Sequence, residues 1–133
     1  HNRCRRQRQM CIRDSLMFVC VEKDDVSQNI NNMVNKLLNF RMLDGPKGIT
    51  SSPLNDSGKE VLIVSQFTLA AITNKGNKPS FHMAAQPDNA KLMYDEFVRE
   101  FKKSFPNVKE GKFGAFMEIS LTNIGPVTFN FKT

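Results

Sequence analysis

The sequence lacks any long apolar run. Its longest uninterrupted apolar stretch, Leu16–Val21, is six residues, well short of the roughly 20 that a membrane-spanning helix needs. Glycine and proline are also scarce, at 7 and 6 of 133 residues, while 40% of residues are hydrophobic and 24% are charged. This composition excludes collagen-like, coiled-coil and disordered chains, and it is typical of one globular domain that binds no membrane.

Cysteine and histidine are too few for the usual metal and catalytic sites. Cys4, Cys11 and Cys20 form no Cys-x-x-Cys pair, so we expect no metal and no disulfide framework. We expect Cys20 to be a small buried hydrophobe in a reducing compartment, the cytoplasm. His82 is the only histidine after residue 15, and its polar surroundings favour an exposed loop imidazole over a general base. No nucleophile elbow, phosphate-binding loop or dinucleotide fingerprint occurs, and no cofactor is expected.

The net charge of +6 is concentrated at one end of the chain. Residues 1–15 hold five arginines and only one acidic residue, Asp14, whereas residues 16–133 hold 14 Lys+Arg and 12 Asp+Glu. A basic arm that binds nucleic acid is one interpretation of this segment. We favour a non-native or disordered tail over 1–15, because the segment has no hydrophobic periodicity. The folded domain is then expected over 16–133.

Hydrophobic periodicity predicts two helices and five strands. One helix, capped by Ser27, spans about 27–39, and a second begins at Pro87 and ends near Phe105. Val61–Leu69 is typical of a central strand buried on both faces. The other predicted strands are Leu16–Val21, Phe40–Leu43, Ala115–Leu121 and Val127–Phe131, with loops at Asp44–Lys59 and Ala70–Gln86. We therefore predict a single α/β domain in which two helices pack on one side of mixed, largely antiparallel, barrel-like sheet layers.

Polar residues cluster where the predicted central strand ends. Ser65, Gln66 and Thr68 follow the buried run and would place hydroxyl, amide and backbone N–H groups at a carboxyl edge of the sheet, a common location for α/β active sites. A strand that simply becomes polar as it surfaces explains the same residues equally well. The pattern alone leaves both interpretations open.

Several motifs together resemble the D-aminoacyl-tRNA deacylase family, also called D-tyrosyl-tRNA deacylase. They occur in the family's order and extend over roughly residues 16–133: Val21–Asp25, Ser65–Ala70, Lys75–Phe81, Gly111–Gly114 and Gly125–Thr128. The segment 1–15 does not resemble the family's first strands, so the amino-terminal strands are expected to be missing or replaced. Ile124 stands where an aspartate commonly precedes Gly-Pro, and the 44–59 loop also matches poorly.

The resemblance implies hydrolysis of the ester that joins a D-amino acid to the 3′ end of tRNA, a proofreading reaction of translation. Ser65, Gln66, Phe67 and Thr68 are then the expected catalytic residues. Such an ester is already activated, so its hydrolysis needs an oriented water or hydroxyl and a stabilised oxyanion. Thr68 lacks an evident adjacent base, so we expect it to position the substrate while the ribose 2′-hydroxyl assists hydrolysis.

The resemblance also implies a homodimer whose active site is shared between subunits. Gly125 and Pro126 match the family's Gly-cis-Pro pair, which enters the partner's pocket and holds the substrate amino group with backbone carbonyls. An ordinary turn is the simpler interpretation of this dipeptide. Phe113, Val127 and Thr128 are candidate substrate-binding residues, although Phe113 suits core packing equally well. The candidate contacts to tRNA phosphates are Lys75, Lys78 and Lys112. The alternative interpretation is that these lysines only face solvent.

Two other function classes fit the sequence less well. One is a binding module for the tRNA 3′ end without turnover, and the other is an inactive, truncated paralogue. The intact Ser65–Thr68 and Gly125–Thr128 motifs favour the enzyme, with D-aminoacyl-tRNA as its partner and no DNA.

Overall fold

The computed structural model describes residues 9–11, 15–55, 57–122 and 127–133. These residues form seven strands, two α-helices and one short 3₁₀ helix. In chain order they are β1 (Gln9–Cys11), β2 (Ser15–Val19), α1 (Ser27–Asn39), β3 (Leu43–Gly45), β4 (Gly48–Ser52), β5 (Val61–Ser65), the 3₁₀ helix (Phe67–Ala70), α2 (Pro87–Ser104), β6 (Val108–Glu110) and β7 (Glu118–Ser120).

The central sheet has the strand order β2-β5-β6, and all its strands are parallel. β1 also pairs in parallel with β7, and β3 pairs antiparallel with β4. The prediction of a mixed α/β domain with two helices is confirmed. Its expected antiparallel majority is not found among the described strand pairs, since three of the four are parallel. The reason is that β5 returns to the sheet only after a helical crossover, which gives parallel pairing.

The strand β5 is buried on both faces, as its apolar sequence predicts. Val61 and Ile63 join both helices in one hydrophobic core. Leu62 and Val64 point to the opposite face of the strand and are at most 2% exposed. Both helices therefore pack on the face that carries Val61 and Ile63.

The helix α1 has the predicted bounds, but its cap differs from the prediction. Its buried stripe is Ile30, Val34, Leu37 and Leu38. Ser27 is the first helical residue and Val26 is the N-cap. The Asn29 side chain accepts a hydrogen bond from the Val26 N–H at 2.9 Å. Asn29 therefore makes the side-chain hydrogen bond at the start of the helix, and the prediction that Ser27 is the cap is wrong.

The helix α2 begins at Pro87 and ends at Ser104, which confirms the second predicted helix. Met93, Tyr94, Phe97, Val98 and Phe101 form its buried face. The Tyr94 hydroxyl donates a hydrogen bond to the Ile63 carbonyl at 3.1 Å. This bond ties α2 to the central strand.

Other predicted elements are wrong in part. The predicted strand Phe40–Leu43 and the predicted loop Asp44–Lys59 are replaced by the β3–β4 hairpin and a buried Leu54. Val61–Leu69 is a strand only as far as Ser65, because the chain then turns into the 3₁₀ helix. Strand structure within Ala115–Leu121 is limited to β7, and residues 127–131 form no strand. The strand β6 was not predicted, because its short sequence Val-Lys-Glu is mostly charged.

The division into a tail over 1–15 and a domain over 16–133 stays a prediction. Two described features lie inside the first segment. The backbone of β1 pairs with β7, in register from Gln9 with Glu118 to Cys11 with Ser120. Ser15 belongs to β2, and its N–H donates to the Glu60 carbonyl at 3.1 Å.

The buried Tyr94 makes a test of the core possible, because it is the only tyrosine in the chain. Burial raises its pKa above the usual value of 10.0, with Glu110 and Asp95 adding to the shift. The folded state therefore retains the phenol proton where the unfolded chain loses it, and stability falls as pH rises above about 10. We expect the free energy of unfolding in urea to fall by about 1.4 kcal/mol per pH unit there from this group.

The matched variant for that measurement is Tyr94→Phe. It removes the buried hydrogen bond, at a cost of about 1 kcal/mol at neutral pH. It should also remove most of the alkaline loss of stability. An equally steep alkaline loss in both proteins would contradict the assignment to Tyr94.

Candidate active site

The carboxyl ends of the three parallel strands meet at one edge of the central sheet. Cys20 follows β2, Gln66 follows β5, and Gly111 follows β6. The pairing of β5 with β6 thus brings two motifs that are far apart in sequence, Ser65–Thr68 and Gly111–Phe113, to the same edge. The Gly111 N–H donates to the Ile63 carbonyl at 2.9 Å, which fixes the start of the second motif beside the central strand.

The first motif leaves the sheet through a sharp turn. Ser65 is the last residue of β5 and pairs with Val19. The Gln66 N–H still donates to the Val19 carbonyl, at 2.8 Å. The Leu69 N–H then donates to the Gln66 carbonyl at 3.3 Å, which closes the first turn of the 3₁₀ helix. Phe67 and Thr68 therefore lie beyond the carboxyl edge of the sheet.

The backbone N–H groups of Phe67 and Thr68 have no hydrogen-bond acceptor among the residues that the structure describes. Such N–H groups are left without internal partners because they open a helix. Both side chains are exposed, with Phe67 at 56%. Two adjacent N–H donors open to solvent can stabilise an anion that develops next to them.

Cys20 supports the backbone of this turn. Its Sγ lies 3.7 Å from the Phe67 carbonyl oxygen and 3.6 Å from that of Val21. Burial raises the pKa of the Cys20 thiol, although a backbone hydrogen bond with Ala70 lowers it in part. The side chain is half-buried rather than fully buried. The sequence predicted a small buried hydrophobe here, and it gave no signal for the contact with the turn.

The loop after the 3₁₀ helix folds back onto the site. The Phe81 ring contacts the Phe67 ring edge-on, with centroids 5.0 Å apart. Ile72 and Ser80 exchange backbone hydrogen bonds at 2.8 and 3.0 Å. His82 is exposed, as expected for a loop imidazole, and its Nδ1 lies 2.8 Å from the Ser80 Oγ. The sequence did not indicate this Ser–His pair or the edge-on contact of the two rings.

Phe113 packs against the core at the site's edge. Its ring centroid lies 5.7 Å from that of Tyr94, and the side chain is half-buried. Gly111 is buried, and a Cβ there would lie 2.6 Å from the Met117 Sδ, so this position has no room for a side chain unless Met117 moves. The structure therefore gives Phe113 a packing contact, and its contact with substrate stays a prediction.

The three lysines predicted to contact tRNA are all exposed. Lys75 and Lys78 lie in the loop that Ile72 and Ser80 close, and Lys112 lies between Gly111 and Phe113. None of the three forms a salt bridge with an acidic side chain in the described part of the chain. Their charges are available to an anionic partner.

Neither a metal site nor a membrane span was found in the part of the chain that the structure describes. No three His, Cys, Asp or Glu side chains there come close enough together to hold a metal ion. No helix there is both long enough and apolar enough to cross a bilayer.

Comparison with known proteins identifies the family. The family model described as D-Tyr-tRNA(Tyr) deacylase matches residues 8–132. The chain belongs to this family. The D-aminoacyl-tRNA deacylase of Francisella tularensis subsp. novicida is 45% identical over 117 residues, which are 88% of this chain and 81% of that protein. The D-aminoacyl-tRNA deacylase of Teredinibacter turnerae is 46% identical over 114 residues, which are 86% and 79%.

Solved structures agree with the fold. A structure described as c-Myc DNA Unwinding Element Binding Protein has a TM-score of 0.82 and 35% identity, covering 89% of this chain and 80% of that one. A second structure, described as a probable eukaryotic D-amino acid tRNA deacylase, has a TM-score of 0.64 and 17% identity, covering 74% of each chain. The resemblance drawn from the sequence motifs is confirmed.

The structure brings together some of the residues predicted for a D-Tyr-tRNA(Tyr) deacylase site and leaves others apart. Ser65, Gln66, Phe67 and Thr68 lie with Lys112 and Phe113 at the sheet edge described above. Gly125 and Pro126 lie outside the described residues. Val127 and Thr128 are exposed, and no described contact joins them to the strand end.

The residues that follow Val127 and Thr128 pack at the C-terminal end of α1. The Phe129 ring contacts the Phe40 ring, at the C-terminal end of that helix, with centroids 5.3 Å apart. Lys132 reaches back to within 3.8 Å of Glu22, before the start of the helix. The Phe131 ring also packs on Phe40, with centroids 5.0 Å apart, so Phe129 and Phe131 both lie against the C-terminal end of α1.

Proposed function

We propose that this protein hydrolyses the ester bond of D-aminoacyl-tRNA and releases the free D-amino acid and tRNA. Membership of the D-Tyr-tRNA(Tyr) deacylase family supports the reaction class. The observation that carries the proposal for the site is the pair of open N–H donors at Phe67 and Thr68, on a turn fixed to the central strand. The biological role is proofreading of chirality in translation, in the cytoplasm.

The reaction needs little beyond positioning and oxyanion stabilisation. Water adds to the ester carbonyl carbon, the carbonyl oxygen becomes an oxyanion, and the bond to the ribose 3′-oxygen then breaks as that oxygen takes a proton. The N–H groups of Phe67 and Thr68 donate to the oxyanion. The Ser65 hydroxyl and the Gln66 amide orient the substrate beside them.

Thr68 acts as a positioning residue for the substrate. A threonine hydroxyl becomes a nucleophile only when an adjacent base accepts its proton. No described side chain is hydrogen-bonded to the Thr68 hydroxyl, and the nearby His82 is paired with Ser80 instead. The terminal ribose 2′-hydroxyl therefore serves as the group that directs water to the ester.

The active site is completed by a second copy of the chain. In the described part of the chain, no hydrogen bond, ion pair or ring contact joins Val127 or Thr128 to Thr68, and the next residue, Phe129, packs on Phe40 at the C-terminal end of α1. The Gly125-Pro126 pair immediately precedes them in sequence. In a twofold dimer, each copy can deliver this segment to the other copy's strand end. Backbone carbonyls of Gly125 and Pro126 then hold the substrate amino group, with Phe113, Val127 and Thr128 around it.

The acceptor end of tRNA lies along the exposed lysines. Lys75, Lys78 and Lys112 supply phosphate contacts from the loop and from the turn after β6. Because residues 16–133 have nearly balanced charge, these contacts give weak, salt-sensitive binding. Rapid release of tRNA suits a proofreading enzyme.

The deciding experiment follows the esters of D-tyrosyl-tRNA and L-tyrosyl-tRNA with the purified protein. We expect the D-ester to be hydrolysed at least about 100-fold faster than the L-ester, since rigid backbone groups cannot adjust to the other enantiomer. Gln66→Ala/Thr68→Ala should lose most of this activity. The control is Asn31→Ala/Ser104→Ala, which changes an exposed amide on α1 and an exposed hydroxyl at the end of α2.

The two alternatives predict different outcomes in the same assay. A binding module without turnover would bind both tRNAs and leave both esters intact. An inactive paralogue would neither bind nor hydrolyse them. Hydrolysis of both enantiomers at equal rates would contradict chiral proofreading.

A further inference from the structure

A cavity lies at the C-terminal end of α1, away from the strand end that carries Thr68. It is an open surface cavity of about 720 Å³, and most of its lining residues are exposed. Its wall is formed by the last turns of α1, by Thr50 of β4 and by Phe129 of the C-terminal segment. The proposed deacylase site makes no use of these residues.

Aromatic rings form one side of the cavity. Phe40 and Phe129 both line it, and their rings meet edge to face. The Phe131 ring also contacts the Phe40 ring, with centroids 5.0 Å apart. Phe129 is nevertheless 40% exposed, so one face of its ring is available to a planar ligand. Stacking on such a ring is a common way to bind a nucleobase.

Two positively charged side chains line another side of the cavity. Lys36 and Arg41 line the cavity together with no acidic side chain. The Lys36 Nζ lies 5.5 Å from the centroid of the Phe40 ring, which places the ammonium beside the aromatic side. Neither cation forms a salt bridge within the described ranges of the chain. Charge complementarity therefore calls for an anionic group, and a guanidinium suits phosphate oxygens.

Polar groups and a strained backbone complete the wall. Asn32, Asn35 and Asn39 line the helix side. The Asn32 Oδ1 accepts from the Gln28 amide, and the Asn39 Nδ2 donates to the Asn35 carbonyl. The Asn35 amide, the Asn32 Nδ2 and the Asn39 Oδ1 remain as groups of the kind that read base edges. Thr50 has φ of 48°, a left-handed conformation that is costly for a β-branched residue. Its N–H is held by the Asp44 Oδ1 at 3.1 Å. Strain of this kind concentrates at binding sites.

We propose that this cavity binds a nucleoside monophosphate unit, with the base against Phe129 and the phosphate between Lys36 and Arg41. An aromatic ring, two unpaired cations and several amides around one cavity match the three parts of such a ligand. The unit has two possible sources, a free nucleotide or one nucleotide of an RNA strand. The site is distinct from Ser65–Thr68, since α1 separates the two.

Titration calorimetry with AMP, adenosine, ribose 5-phosphate and a 5′- and 3′-phosphorylated AAA trinucleotide, whose blocked 3′ end does not imitate the acceptor end of tRNA, tests this. AMP should bind at least about tenfold more tightly than adenosine or ribose 5-phosphate, because each lacks one of the two recognised groups. Lys36→Ala/Arg41→Ala should weaken AMP binding by about tenfold or more, since bonds to a charged phosphate are lost. The charge-matched control, Lys91→Ala/Lys103→Ala on α2, should bind AMP normally.

Further variants separate a binding role from a folding role. Phe129→Ala should weaken both AMP and adenosine, whereas the charge-preserving Lys36→Arg/Arg41→Lys should retain AMP binding. Gln66→Ala/Thr68→Ala should leave binding in the cavity unchanged. Tight binding of the trinucleotide with weak binding of AMP supports an RNA strand as the source, and the reverse supports a free nucleotide.

Three outcomes would overturn the proposal. The first is no binding of either AMP or the trinucleotide. The second is loss of nucleotide binding in Gln66→Ala/Thr68→Ala together with normal binding in Lys36→Ala/Arg41→Ala. That result would assign the nucleotide to the strand end that carries Thr68. The third is conversion of a dimer to monomers by Phe129→Ala in sedimentation, which would make this face an interface between copies. These experiments measure nucleotide binding and not ester hydrolysis. A protein without deacylase activity would therefore not contradict this inference.

Discussion

A D-tyrosyl-tRNA whose terminal adenosine lacks the 2′-hydroxyl is expected to resist hydrolysis almost completely, whereas Thr68→Ala should retain measurable activity on the normal substrate. The expected loss with the 2′-deoxy substrate is about 10²–10⁴-fold, the usual contribution of a positioned proton-transfer group. Thr68→Ala keeps both backbone N–H donors, because they belong to the main chain of the 3₁₀ helix. Its loss should therefore be smaller, about tenfold to 100-fold.

Single-turnover rates of ester hydrolysis measure both effects. Thr68→Val keeps the shape of the side chain without its hydroxyl and should behave like Thr68→Ala. Thr68→Ser restores a hydroxyl at the same position and should recover most of the rate. Capture of a covalent aminoacyl-enzyme on Thr68 would show instead that Thr68 attacks the ester. Normal hydrolysis of the 2′-deoxy substrate would exclude a role for the 2′-hydroxyl.

The helices were predictable because their patterns are local. Ile30, Val34, Leu37 and Leu38 repeat at the spacing of one helical face, and α1 has the predicted bounds. The same holds for α2, which begins at Pro87. Each pattern needs only neighbours three or four residues apart, so no knowledge of the sheet is required.

Sheet pairing was less predictable because it depends on residues distant in sequence. The apolar pattern extends the central strand to Leu69, yet the strand ends at Ser65, where its partner β2 ends at Val19. Residues 127–131 alternate like a strand, but they pair with no described strand, and the Phe129 and Phe131 rings contact the Phe40 ring instead. Nothing in Val-Lys-Glu of β6 marks it as a strand until β5 is beside it.

The candidate site was predictable to a similar degree. Polar residues at the end of a buried run indicated Ser65–Thr68, and the structure places them at a carboxyl edge of the sheet. That Gly111–Phe113 lies beside them follows from the β5–β6 pairing, which the sequence did not predict. The contact of Cys20 with the Phe67 carbonyl also depends on tertiary structure. Two of the motifs were found only through family resemblance, since a lone Gly-Pro or Gly-Lys-Phe-Gly has no unique physical meaning.

Mixing two inactive variants is expected to restore activity if the site is shared between two copies of the chain. One variant, Gln66→Ala/Thr68→Ala, loses the strand end, and the other, Pro126→Ala, loses the ring that restricts the backbone at the Gly125-Pro126 pair. A mixed dimer contains one pocket with both parts intact and one with neither. Because half the dimers in an equal mixture are mixed, about a quarter of the wild-type rate should return.

The physical basis for this expectation is that no described contact within one chain joins the two parts. Thr68 lies at the carboxyl edge of the sheet, whereas Phe129, three residues after Pro126, packs on Phe40 at the C-terminal end of α1. We therefore expect the pair to act in the pocket of a second copy. Each variant mixed with itself serves as the control, and differently tagged subunits establish that mixed dimers are present. Mixed dimers without recovered hydrolysis would show that Gly125-Pro126 acts within its own chain or as an ordinary turn.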